Sequence, residues 1–143
     1  MHAVGQVTGN TVSGGVCTYD GCGPDFISQF QSFAAIVESG GGTTFTGNHL
    51  SGADIGLLDY NPANVTINGN TLVDNTMYGI FIGDTDAVTK NNTITGGRIG
   101  IGVWAISQDT TELSSGDHIS GTSESATQTF ECCGFHASLT VKP

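Results

Sequence analysis

A short motif centred on asparagine recurs along the chain, and this repeat constrains the fold more than any other feature of the sequence. The motif VTGNTVSG at residues 7–14 returns as FTGNHLSG at 45–52 and INGNTL at 67–72, and more loosely at 89–96 and 114–121. The central positions, separated by 38, 22, 22 and 25 residues, are Asn10, Asn48, Asn70, Asn92 and Asp117. A period of 22 to 25 residues is typical of one solenoid coil, so about five stacked coils are predicted.

A second, apolar motif lies between these asparagines and has the same period. It reads AIV, GLL, GIFI and IGIGV, and the steps from Ile36 to Leu57 to Ile80 to Ile101 are 21, 23 and 21 residues. Each coil is therefore predicted to hold at least two short strands, separated by turns rich in glycine, asparagine and aspartate. Because side chains alternate along a strand, we expect these four residues to point inward.

The residues that follow them form an outward stripe of Val37, Leu58 and Phe81, which ends at Gly102. An exposed apolar stripe marks a contact surface unless the chain itself covers it. Three alternatives stay open for this stripe: cover by another part of the chain, lateral packing between rods, or stacking of Phe81 on a sugar ring.

The phrases NNTITG at residues 91–96 and YGIFIG at 78–83 are similar to those of the pectate-lyase-like right-handed parallel β-helix superfamily. The resemblance covers about residues 4–14 and 34–121 and is that of a generic right-handed β-helix repeat region. It implies an all-β, single-stranded solenoid in which asparagine side chains stack into a hydrogen-bonded ladder. It leaves function open, because this scaffold carries lyases, hydrolases, epimerases, phage adhesins and surface fibres.

The 143 residues are expected to form a single domain with one insertion and one tail. The insertion, at about 16–33, places Phe26, Phe30 and Phe33 at helical spacing after Pro24, which predicts a short amphipathic helix. Its aromatic face would cover the solenoid core or dock on another subunit. The tail, at about 122–143, contains two adjacent cysteines.

Four cysteines, Cys17, Cys22, Cys132 and Cys133, allow three intrachain pairings, and they also allow bridges between subunits. Adjacent cysteines rarely bond to each other because the geometry is strained, whereas Cys17 and Cys22 close a small loop easily. Their spacing is not that of a zinc site, so an oxidising compartment explains them better. We expect an extracellular or cell-surface location, although this chain carries no signal peptide. The sequons at Asn64 and Asn91 leave glycosylation open.

The charge balance excludes two classes of partner. Three basic residues against 13 acidic ones give a net charge of -10, which argues against nucleic-acid binding and against docking on anionic lipid. Because no apolar run approaches the length of a membrane span, no membrane insertion is expected. The remaining partners are other copies of this chain, by self-association, and polysaccharide.

The acidic residues provide the candidates for chemistry. Asp59 and Asp84 lie on consecutive coils and could form the carboxylate pair of a glycoside hydrolase, while Arg98 could serve a polysaccharide lyase. Asp84 and Asp86 could supply oxygen ligands to a calcium ion. The paired aspartates, Gly-His-Gly and Arg-x-Lys that we would seek in pectate lyases and polygalacturonases are absent.

Two functions follow as expectations. We favour a non-catalytic extracellular building block that self-associates head to tail into a filament or surface layer, because every solenoid end exposes unpaired strand edges. The alternative is a carbohydrate-binding or polysaccharide-cleaving fragment of a larger secreted β-helix protein.

Overall fold

The computed structural model describes residues 5–25, 28–38, 41–61 and 64–143, and it consists of short strands joined by turns. The strands are β1 (Gln6–Thr8), β2 (Thr11–Ser13), β3 (Phe33–Glu38), β4 (Thr44–Thr46), β5 (His49–Ser51), β6 (Ile55–Tyr60), β7 (Val65–Asn68), β8 (Thr71–Val73), β9 (Tyr78–Gly83), β10 (Ala87–Lys90), β11 (Thr93–Thr95), β12 (Ile99–Ala105), β13 (Thr110–Ser115), β14 (His118–Ser120), β15 (Ser125–Glu131) and β16 (Ala137–Lys142).

These strands form three parallel sheets, and each coil gives one strand to each sheet. Sheet 1 has the order β1-β4-β7-β10-β13-β16, sheet 2 the order β2-β5-β8-β11-β14, and sheet 3 the order β3-β6-β9-β12-β15. The chain therefore completes five coils and adds a sixth strand to sheet 1. The all-β parallel solenoid of about five coils is confirmed, with three strands per coil.

The parallel register stacks equivalent side chains in columns that fill the cylinder. In sheet 2 one inward column runs Val12, Leu50, Leu72, Ile94 and Ile119. In sheet 3 the neighbours Leu57, Ile80 and Ile101 stack in one column and are all 0% exposed. Such columns bury apolar area at every coil, which is the main stabilising contribution of a solenoid.

The recurring asparagines form the predicted ladder along the corner between sheets 1 and 2. The backbone N–H and the Nδ2–H of Asn48 both donate to Oδ1 of Asn70, at 2.9 and 3.0 Å. Asn70 donates in the same way to Asn92, and Asn92 to Asp117, while Asn70 Nδ2 also donates to the Phe45 carbonyl of the preceding coil at 2.9 Å. Each internal asparagine thereby links three successive coils.

Glycines at the start of the sheet 3 strands allow a tight corner. A Cβ on Gly79 would lie 2.4 Å from Cγ2 of Ile94, and a Cβ on Gly56 would lie 2.6 Å from the carbonyl oxygen of Gly79. No real side chain tolerates such distances. Gly56 and Gly79 are therefore required by the close approach of neighbouring coils.

The predicted phase of the first apolar motif was wrong by one residue. Ala35, not Ile36, lies in register with Leu57, and Val37 packs against the core. Ile36 points outward and is 53% exposed. A run of three apolar residues in the sequence does not show which of them faces inward. In the structure, the pairing of Phe33 with Ile55 sets the register of the strand and thereby the direction of each side chain.

The predicted helix in the insertion is not supported. The described residues 16–25 and 28–33 contain no helix. Phe30 instead forms a β-bridge with Cys22, and Phe33 belongs to β3, so neither lies on the face of a helix. Phe26 lies outside the described residues. No helix among the residues that the structure describes is long and apolar enough to cross a membrane.

The region from about residue 122 continues the solenoid. Its strand β15 pairs in parallel with β12 in sheet 3, and β16 pairs with β13 in sheet 1. The cysteine pair lies in the turn between these two strands.

Asn70→Ala tests the ladder. The substitution leaves the Asn48 N–H and Nδ2–H without their acceptor and the Phe45 carbonyl without its donor, all in a buried environment. We expect the free energy of unfolding to fall by about 2 to 4 kcal/mol, measured by urea unfolding followed by circular dichroism.

Asn10→Ala is the matched control, because Asn10 is the exposed first member of the ladder. It should lower the free energy of unfolding by less than about 1 kcal/mol. Equal losses in the two variants would contradict the structural role of the internal ladder.

Candidate functional site

Asp59, the first predicted acid, lies inside the cylinder. It is in register with Val37 and Ile82, both of which pack in the main core. Its side chain is 0% exposed, and neither carboxyl oxygen has a hydrogen-bond partner among the described residues. Burial raises the pKa of Asp59 to about 7.

Glu112 is a second interior acid that the sequence analysis did not single out. It lies between Ala87 and Leu139 in an inward column of sheet 1 and is fully buried. Its Oε1 accepts the Thr89 N–H at 3.0 Å, and its Oε2 has no partner among the described residues. Burial raises the pKa of Glu112 to about 8. Glu112 lies two positions from each of Thr110 and Ser114, which are also buried. This alternation along the strand was the signal that could have revealed it.

Asp84 is buried in a turn and is fully used as a hydrogen-bond acceptor. Its Oδ1 accepts the N–H groups of Ile106 at 2.7 Å and Ser107 at 2.9 Å, and its Oδ2 accepts the Ser107 hydroxyl at 2.8 Å. Burial alone would raise its pKa, but these hydrogen bonds hold the pKa below the usual value for aspartate. Asp84 therefore fastens its turn to the turn of the next coil.

The structure brings together neither the predicted acid pair nor the predicted calcium ligands in an open site. Asp59 faces the interior, whereas Asp84 is held by amides, so they do not form an outward-facing pair. Asp86 Oδ1 accepts the Thr111 N–H at 3.0 Å. Among residues 5–25, 28–38, 41–61 and 64–143, no three histidine, cysteine or acidic side chains lie close enough to hold a metal ion.

Arg98 lies at a cleft of about 390 Å³ between the insertion and the solenoid. It forms a two-point ion pair with Glu124, with Nε to Oε1 at 2.7 Å and Nη2 to Oε2 at 3.0 Å, and this partner raises its pKa. The Cys17–Cys22 disulfide and Met77 also line the cleft.

Asp54 in the same cleft attaches the insertion to the second coil. Its Oδ2 accepts the N–H groups of Cys17 at 3.0 Å and Ser32 at 2.9 Å, and its Oδ1 accepts the Thr76 hydroxyl at 2.7 Å. Burial opposes ionisation, but the hydrogen bonds lower the pKa of Asp54 overall. The polar groups around the cleft thus mainly satisfy one another.

The predicted outward stripe is covered by side chains of its own sheet. Leu58 and Phe81 do point outward, but both are buried in a second cluster on the outer face of sheet 3. The centroid of the Phe81 ring lies 5.1 Å from that of Tyr78 and 5.3 Å from that of Trp104. A Cβ on Gly102 would meet the Tyr78 ring at 2.6 Å, so the glycine makes room for this cover.

Of the aromatic residues predicted in the insertion, Phe33 packs against this outer cluster. Phe30 is 62% exposed and lies beside Tyr19 with ring centroids 5.9 Å apart. The insertion therefore does not cover the stripe as a single aromatic face.

All four cysteines are paired within the chain. Cys17 bonds to Cys22 and Cys132 bonds to Cys133, and no cysteine is free among the described residues. The expectation that adjacent cysteines would avoid each other is wrong here, and Cys133 has a left-handed backbone with φ of 65°. Bridges between subunits are not needed to account for any cysteine.

The two ends of sheet 1 carry exposed members of an inward column. Val7, 37% exposed, is the first member of the inward column that runs Phe45, Ile67, Thr89, Ser114 and Val141. Val141 is the last member and is 60% exposed. Among the strands that the structure describes, β1 and β16 each pair on one side only.

Residues 3–117 match the family model described as right-handed beta helix region. The match covers most of the 143 residues. The chain belongs to this family. No match was found among curated proteins or among solved structures.

Asp59→Asn tests the interior acid. Because the folded state holds the proton of Asp59 to about pH 7 while the unfolded chain releases it near pH 4, stability should fall as the pH rises between these values. The asparagine side chain keeps the shape without the charge, so we expect the free energy of unfolding at pH 8 to rise by about 2 to 4 kcal/mol.

Urea unfolding between pH 4 and pH 8 measures this effect, and the decline with pH should be shallower in the variant. The exposed Asp20→Asn is the control for the loss of one negative charge. The account fails if both variants have the same pH profile.

Proposed function

We propose that this protein is a non-catalytic building block that self-associates head to tail through the two open edges of sheet 1. The observation that carries the proposal is that Val7 and Val141, exposed at opposite ends, belong to one inward column of one parallel sheet. An unpaired strand edge is a template for a strand of another chain. Here the second chain is another copy of the same molecule.

The register supports this joint. A second copy with its β1 beside β16 keeps all strands parallel and brings Val7 next to Val141. The flanking outward columns then bring Gln6 next to Thr140 and Thr8 next to Lys142, so no like charges meet. Because sheet 1 has six strands and the other sheets have five, the direct strand pairing is made through sheet 1.

The two ends are different surfaces, so the contact is heterologous and does not close on itself unless its rotation forms a ring. It therefore leads to a filament or to the rows of a surface layer. The net charge of -10 on each copy opposes association, and this repulsion is screened by salt. The two disulfides favour an oxidising environment, and we place the assembly outside the cell.

The alternative function is that of a carbohydrate-binding or polysaccharide-cleaving fragment of a larger secreted β-helix protein, and its cleaving form has less support. It needs an acid pair that a glycan can reach, whereas Asp59 is inside the cylinder and Asp84 is occupied by backbone amides. Arg98, the candidate base for a lyase, is held by Glu124.

Val141→Lys tests the joint. A lysine at the exposed end of the inward column places a charge where the proposed contact excludes water, so association should weaken at least about tenfold. Sedimentation velocity from low to high protein concentration, in about 0.5 M salt to screen repulsion, should show growing oligomers for the unmodified chain.

Thr140→Lys is the matched control. Thr140 lies on the outward face of the same strand, and a lysine there adds the same charge as Val141→Lys. It should associate as the unmodified chain does. A monomer at every concentration, or equal association of the two lysine variants, would refute the proposed joint.

A further inference from the structure

The turn between β15 and β16 is closed by a disulfide between adjacent residues, Cys132 and Cys133. Cys133 is exposed, and its φ of 65° is followed by a φ of 90° at Gly134. The Cys132 N–H donates to the Ala105 carbonyl at 2.9 Å, and the Phe135 N–H donates to the Cys132 carbonyl at 3.1 Å. The disulfide therefore lies on an accessible turn that is anchored to the preceding coil.

We propose that Cys132–Cys133 is a redox-active disulfide that takes a dithiol as its reductant, and that its reduction loosens strand β16. No step of the proposed assembly requires this bond to be reducible. The inference therefore goes beyond the proposed function.

The reaction is a thiol–disulfide exchange. A thiolate of the dithiol attacks the exposed Cys133 sulfur, the bond between the two cysteines breaks, and Cys132 leaves as a thiolate that takes up a proton. The second thiol of the reductant then attacks the mixed disulfide and releases Cys133 as a thiol. Two electrons pass from the dithiol to the protein, and the dithiol becomes a disulfide.

The position of β16 explains why it should respond. Among the described strands it pairs with β13 alone, so it is an edge strand, and it follows the turn after three residues. Two further hydrogen bonds hold the turn. The His136 N–H donates to Asp109 Oδ1 at 2.9 Å, and the Ala137 N–H donates to Glu131 Oε1 at 3.0 Å.

The closed ring keeps Cys133 in the left-handed region, which a non-glycine residue rarely adopts on its own. When the ring opens, Cys133 can return to an ordinary backbone conformation. The turn then no longer holds β16 in register with β13, and the hydrogen bonds between these two strands break more often.

The other disulfide is a less accessible target. Cys17 and Cys22 are both half-buried, and they line the cleft together with Pro24. The Cys17 N–H is held by Asp54, and Cys22 Sγ accepts the Tyr19 N–H at 3.3 Å. We therefore expect the two disulfides to be reduced in a fixed order, with Cys132–Cys133 first.

The test uses the full chain at a low concentration, so that its outcome does not depend on self-association. The protein is titrated with dithiothreitol and alkylated, and mass spectrometry identifies the modified cysteines. In parallel, hydrogen exchange is followed for residues 137–142 and, as an internal reference, for residues 78–83 of the buried strand β9.

We expect alkylation of Cys132 and Cys133 at dithiothreitol concentrations that leave Cys17–Cys22 intact. Exchange at 137–142 should then become roughly threefold to tenfold faster, with no change at 78–83. The double variant Cys132→Ser/Cys133→Ser should show the faster exchange without reductant, and Cys17→Ser/Cys22→Ser should still respond to it.

Three results would overturn the proposal. They are reduction of Cys17–Cys22 before Cys132–Cys133, unchanged exchange at 137–142 after reduction, and faster exchange throughout the chain, which would indicate general unfolding. Because exchange is measured on the monomer, failure of this proposal is distinct from failure of the head-to-tail joint.

Discussion

The asparagine ladder sets the height and phase of every coil, and the rest of the structure depends on it. Each internal asparagine accepts two N–H groups from the preceding coil and donates to the next asparagine and to a backbone carbonyl. A coil that slipped by one residue would lose these bonds and would turn its apolar side chains outward. Hydrogen bonding at one corner and apolar burial inside the cylinder therefore favour the same register.

The interior is less uniform than this regularity suggests. Asp59 and Glu112 interrupt apolar columns with carboxyl groups whose burial raises the pKa. Asp54 and Asp84, in contrast, lie at corners where amides and hydroxyls satisfy their carboxylates. A carboxyl group that faces the interior thus weakens the fold as the pH rises, whereas an aspartate that links two turns contributes stability that is lost as the pH falls through its lowered pKa.

Much of the fold could be predicted from the sequence because it repeats. The spacing of Asn48, Asn70 and Asn92 was sufficient to predict the ladder and the coil length. Local features that occur once were not predictable. Phe26, Phe30 and Phe33 have helical spacing, yet Phe30 pairs with Cys22 and Phe33 joins a strand, because strand pairing decides between the two periods.

The candidate sites depended on side-chain direction, which alternation predicts only when the register is known. Asp59 follows Leu58 in a run of apolar residues. If the strand register is shifted by one residue, the same aspartate points outward and not into the interior. Leu58 and Phe81 did point outward, but their cover by Tyr78 and Trp104 comes from the same sheet and required the room that Gly102 provides.

The joint between copies is tested most directly by cross-linking one chain that carries Val7→Cys with a second that carries Val141→Cys. Neighbouring strands lie about 4.8 Å apart, within the range of Cα separations that a disulfide accepts. The account predicts a covalent dimer of the two variants under oxidising conditions, and no such dimer when Ile36→Cys replaces Val141→Cys. Absence of the Val7–Val141 cross-link at concentrations where the protein associates, or equal yields with both partners, would contradict head-to-tail assembly through sheet 1.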